Sequence, residues 1–91
     1  MDVFIYTNDS LGCDRNEVED ALEEALEGMG EVTGGGSGQR GSNWDLEIRE
    51  NHSEEEVLHL IRTVLKNLKC PQSTSIVISG RRYPLYPAAT K

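Results

Sequence analysis

The chain has 91 residues, is 36% hydrophobic and only 5% aromatic, and carries a formal net charge of -7. That length sets a single domain with a small, mostly aliphatic core and leaves little volume for an enclosed cofactor. The acidic balance disfavours nucleic acid as a direct partner and favours a basic protein surface. No stretch approaches the roughly 20 apolar residues that span a bilayer.

Val3-Phe4-Ile5-Tyr6-Thr7 is apolar or β-branched at every position, which predicts a central strand. Asn8 to Gly12 is a turn cluster. Asp14, with Glu17 three residues on, forms a capping box and opens a helix. Val18, Ala21, Leu22, Ala25 and Leu26 fall on one face of it. The other face carries Glu19, Asp20, Glu23, Glu24 and Glu27, the strongest concentration of charge in the chain. Gly28 and Gly30 supply the stop.

Glu31-Val32-Thr33 reads as a short second strand that runs into a glycine-rich stretch from Gly34 to Asn43. This stretch holds five of the nine glycines. Gly36-x-Gly38-x-x-Gly41 has the spacing of a dinucleotide loop, but that loop needs a helix after it, and here a strand follows. The expectation is a long hairpin loop. Gly34, Gly35, Gly36, Gly38 and Gly41 would supply backbone, and Arg40 a charge, for an anionic ligand or a partner's cleft.

Trp44 to Arg49 alternates strictly. Trp44, Leu46 and Ile48 predict a buried face, and Asp45, Glu47 and Arg49 a wet one. Ser53 with Glu56 caps a second helix, whose stripe is Val57, Leu58, Ile61, Val64, Leu65 and Leu68, and Pro71 is expected to end it. Ser75 to Ser79 reads as a fourth strand, and Gly80-Arg81 turns into a short edge strand from Arg82 to Tyr86, confined there by Pro84. Residues 87–91 read as a tail after a single domain spanning 1–86.

The order β-α-β-β-α-β resembles the ferredoxin-like sandwich, an antiparallel sheet in order 4-1-3-2 with both helices on one side. The resemblance is one of fold and implies no activity. It puts the glycine stretch, Cys13 and Cys70 at one end of the molecule. It leaves a sheet face uncovered, carrying Asp45 and Glu47, with Phe4 and Tyr6 favoured there over Val3 and Ile5.

No catalytic constellation is complete. Cys13 precedes a helix but has acidic neighbours and no histidine at hand. A disulfide between Cys13 and Cys70 does not suit a cytoplasmic setting. His52 and His59 lack a metal-ligand spacing. The sequence therefore predicts a non-enzymatic, cytoplasmic interaction module without cofactor or metal. Its partner would be basic, as when an inhibitor or immunity-type protein covers a toxin or nuclease cleft, met by the acids of the first helix together with Asp45 and Glu47. The alternative is a small regulatory domain that binds an anion at Gly34 to Asn43.

Overall fold

A computed structural model describes residues 1–8, 15–38 and 41–86, with only the backbone of 37 and 38. The elements are β1 (Asp2–Thr7), α1 (Arg15–Ala25), β2 (Gly30–Gly38), β3 (Gly41–Ile48), α2 (Glu54–Asn67), β4 (Ser75–Ile78) and β5 (Arg81–Pro84). The five strands form one antiparallel sheet in the order β2-β3-β1-β4-β5. β1 lies in the middle, as its unbroken apolar run predicts.

Alternation along the strands decides what the sheet buries. Val3 and Ile5 of β1, Trp44, Leu46 and Ile48 of β3, and Ile76 and Ile78 of β4 are all buried. They form a single core with Val18, Leu22 and Leu26 from α1 or its end and with Val57, Ile61 and Leu65 of α2. Both helices therefore pack on the same sheet face. Ala21 and Ala25 are only half-buried, as are Leu58, Val64 and Leu68, so each helix buries a narrower stripe than its sequence pattern marks. Trp44 Nε1 and Thr7 Oγ1 are buried without a hydrogen-bond partner among the described residues.

The helix ends follow local chemistry. Asp14 lies outside the described residues. Ser53 caps α2, its Oγ accepting from Glu56 N at 3.1 Å. The reciprocal half of that box is absent, because the Glu56 carboxylate meets the His52 ring at 3.3 Å instead. Pro71 does not set the end of α2. The helix stops at Asn67, and Lys69 enters the left-handed region at φ 56°. Lys69 N then donates to Lys66 O at 3.0 Å and Cys70 N to Leu65 O at 3.1 Å, the paired bonds of a Schellman cap.

β4 and β5 join through Ser79 and Gly80, both at positive φ (51° and 82°), which is the two-residue hairpin turn that matches strand twist. β5 starts at Arg81, one residue earlier than expected, and ends at Pro84. Two bonds from the Arg62 guanidinium to Pro84 O, at 3.1 and 2.8 Å, tie it to α2. Residues 87–91 lie outside the described residues.

The largest departure from expectation is the glycine stretch, which is strand and not a long loop. β2 continues through Gly38, pairing Gly34 with Asp45, Gly35 with Trp44, Gly36 with Asn43 and Gly38 with Gly41. One irregularity, at Thr33, shifts the register between Val32 and Gly34. Low strand propensity is overridden here by pairing with β3 along the whole stretch. Arg15 donates from its guanidinium to Gly36 O at 2.8 Å and reaches Asn43 O at 3.4 Å.

Candidate functional site: the open face of the sheet

The face away from the helices is covered by no described element. The register of the ladders lays it out in cross-strand rows. In the lowest row, Asp2 on β1, Glu47 on β3 and Glu31 on β2 stand side by side. Phe4 occupies the next row, between Asp45 and Val77, with Gly34 beyond Asp45 and Arg82 beyond Val77. Tyr6 follows, between Asn43 and Ser75. Phe4 is half-buried and Tyr6 is 37% exposed, while Val3 and Ile5 are fully buried, so the aromatics of β1 do face outward.

Among the described residues the acids of this face are balanced only in part, by Arg49 and Arg82. The one ion pair within 4 Å among the described residues is His52 with Glu56, and it involves none of Asp2, Glu31, Asp45 and Glu47. Arg82, the basic residue of the Phe4 row, is already engaged: it donates to Ser75 Oγ at 2.6 Å and lies 5.6 Å from the centre of the Tyr6 ring. Arg49 continues β3 past Ile48 and, with Glu31 and Glu47, lines a shallow depression of about 310 Å3 completed by Gly28, Gly30 and Ile48. Like charges placed directly opposite on neighbouring strands work against the sheet. The face thus has an acidic side, an aromatic middle and an occupied cation.

The predicted site residues are not brought together. Asp45 and Glu47 stand on the open face. Glu19, Asp20, Glu23 and Glu24 stand on α1 and Glu27 two residues past its end, and α1 packs its opposite stripe (Val18 and Leu22) on the other side of the sheet. All but the half-buried Glu19 are exposed. One flat partner surface meets one set or the other. Gly34, Gly35 and Gly36 are extended and paired, so they form no anion-binding nest. Gly38 and Gly41 close the ladder of the same hairpin, and Arg40 lies outside the described residues. Cys13 also lies outside them, and Cys70 is buried. His59 is exposed on α2. No three metal-ligating side chains gather among the described residues.

Sequence reasoning missed Asp2 and Glu31. The signal was parity: Asp2 precedes a buried Val3 and Glu31 precedes Val32, which packs against the core. Placing them in one row also needs the strand order, which parity does not supply. Arg15 was missed as well, since a cation at a helix start carries no local mark of its reach to a hairpin.

Comparison with known proteins found no matching family model, no matching curated protein and no matching solved structure. Among the described residues no helix is long and apolar enough to cross a membrane.

Proposed function

We propose that this chain is a non-enzymatic interaction module whose open sheet face docks on a basic protein partner. The observation that carries the reading is the row Asp2–Glu47–Glu31 with Asp45 beside it, four carboxylates on the face of the half-buried Phe4 and the exposed Tyr6, with no ion-pair partner among the described residues. Aromatic side chains supply area for binding, and unpaired charge selects and steers the partner. A row of like charges that works against the sheet finds its compensation when cations of a partner arrive. The acids of α1, on the other side of the molecule, speed encounter by their field rather than by contact.

Within this class, an inhibitor or immunity-type protein that covers the phosphate-binding cleft of a toxin or nuclease-like partner in the cytoplasm suits the size and charge. The fold reading that goes with it is the ferredoxin-like sandwich. Its support is that the run β2-β3-β1-β4, taken from the β4 side, reads 4-1-3-2, with β5 added beyond β4.

The test is association with a basic partner isolated from the native host. It is measured at low and high salt for the wild type, for Asp45→Asn with Glu47→Gln, and for a variant with the five acids of α1 and its end neutralised. The sheet variant should lose affinity and the helix variant should lose mainly association rate. Unchanged affinity in the sheet variant, or association indifferent to salt, would sink the reading.

A further inference from the structure

Among the described residues the outer edge of β2 is open: β2 pairs only with β3, and Thr33, Gly34 and Gly35 are exposed. An exposed edge presents unpaired backbone donors and acceptors and is a template for another strand. Natural edges are guarded by Pro, Lys, charge or bulges. Here the bulge at Thr33 and the charge of Glu31 guard only the lower half. From Gly34 to Gly38 there is neither charge nor proline. The edge is also held in shape, because Arg15 grips Gly36 O from the helix side. A strand fixed in advance loses less entropy when it binds.

The glycines do something further on the open face. Asp45 Oδ2 lies 3.6 Å from where a Cβ on Gly34 would stand, and Asn43 Oδ1 lies 3.5 Å from the corresponding point on Gly36. Because those positions carry no side chain, Asp45 and Asn43 are open to the edge there, and the nearest β2 side chain is Thr33, whose hydroxyl donates to the Asp45 backbone carbonyl at 3.2 Å rather than to its carboxylate. A side chain on an added strand opposite Gly34 therefore reaches Asp45 across a bare backbone. A second copy of this chain is a poor occupant, since edge-to-edge pairing would bring Glu31 and Asp45 of two chains of net charge -7 together.

We propose that the Gly34–Gly38 edge takes an extended basic segment by strand addition, with alternate Lys or Arg side chains over the open face and one of them on Asp45. This rests on the acidic-face reading and adds how the partner's chain is held.

The probe is a synthetic, end-blocked peptide alternating Thr and Lys, compared with the same peptide N-methylated throughout, each titrated into the full-length protein and followed by amide NMR. The unmodified peptide should give exchange protection at Gly35 and Ser37, whose N–H groups point away from β3, while Gly34 and Gly36, already bonded to β3, change little. The methylated one should bind roughly tenfold more weakly or worse, since each lost backbone hydrogen bond removes a severalfold share of affinity. Gly34→Val, which adds a side chain between the edge and Asp45 where only ordinary contact is met, should also weaken binding. Equal affinity for both peptides overturns strand addition and leaves the acidic-face reading standing. Full binding of the unmodified peptide by the Asp45→Asn, Glu47→Gln variant overturns both.

Discussion

The Arg15 guanidinium stands 5.1 Å from the centre of the Trp44 ring while it donates to Gly36 O at 2.8 Å. One side chain thus joins the start of α1, the buried indole and the glycine-rich strand. Arg15→Ala should destabilise the protein by about 1–2 kcal/mol, the sum of a part-buried cation–π contact and a charge-assisted hydrogen bond. Urea unfolding followed by the fluorescence of the single tryptophan measures it. Arg15→Lys should recover little, because an ammonium lacks the planar fork that serves ring and carbonyls together. Full recovery by lysine would show that charge alone matters here.

Two glycines of the same hairpin should respond oppositely to a side chain. Gly41 has φ 143°, and a Cβ there would run into the Thr7 carbonyl. Gly41→Ala should therefore cost about 2 kcal/mol or more. Gly34 carries no such constraint, and Gly34→Val should leave the melting temperature unchanged or raise it, since valine favours strand and narrows the unfolded ensemble. Thermal unfolding of the two variants side by side checks the contrast.

Lys69 ends α2 in a conformation that L-residues with a Cβ avoid, at φ 56°. Lys69→Gly should stabilise the chain by roughly 0.5–1 kcal/mol, the relief at the cap exceeding the entropy glycine adds to the unfolded state. A shift of the urea midpoint to lower concentration would contradict the Schellman geometry.

Glu47 lies between Asp2 and Glu31 on neighbouring strands. Glu47→Gln should raise stability by about a few tenths of a kcal/mol, and added salt should raise the wild-type melting temperature more than that of the variant. A variant both more stable and weaker in binding would place Glu47 among residues retained at the expense of the fold.

Much of this fold was legible in side-chain periodicity. Trp44, Leu46 and Ile48 alternate with Asp45 and Glu47, and Val57, Ile61 and Leu65 recur at the helical period, because burial acts on each face separately. The glycine stretch was not legible. Glycine has no side chain to alternate, so Gly34 to Gly38 carries no strand signal, and its extended pairing depends on β3 beside it and Arg15 from α1. The end of α2 was misread for a related reason: Pro71 is a visible stop, but hydrogen bonds back to Leu65 and Lys66 had already turned the chain. At the site, Asp45 and Glu47 showed themselves by alternation. Their neighbours Asp2 and Glu31 are separated from them by a helix or a hairpin in sequence, and only the pairing of strands makes them one row.

The central place of β1 has a consequence for synthesis. Of the five strands described it is made first, yet its partners are β3 and β4, and β4 begins at Ser75. At roughly 5–20 residues per second, several seconds pass between translation of the two. Throughout that interval the apolar run of β1 lacks its second neighbour. Pulse-labelled exchange on chains ending before and after β4 should show Phe4 and Tyr6, whose N–H groups face β4, gaining protection only in the longer one.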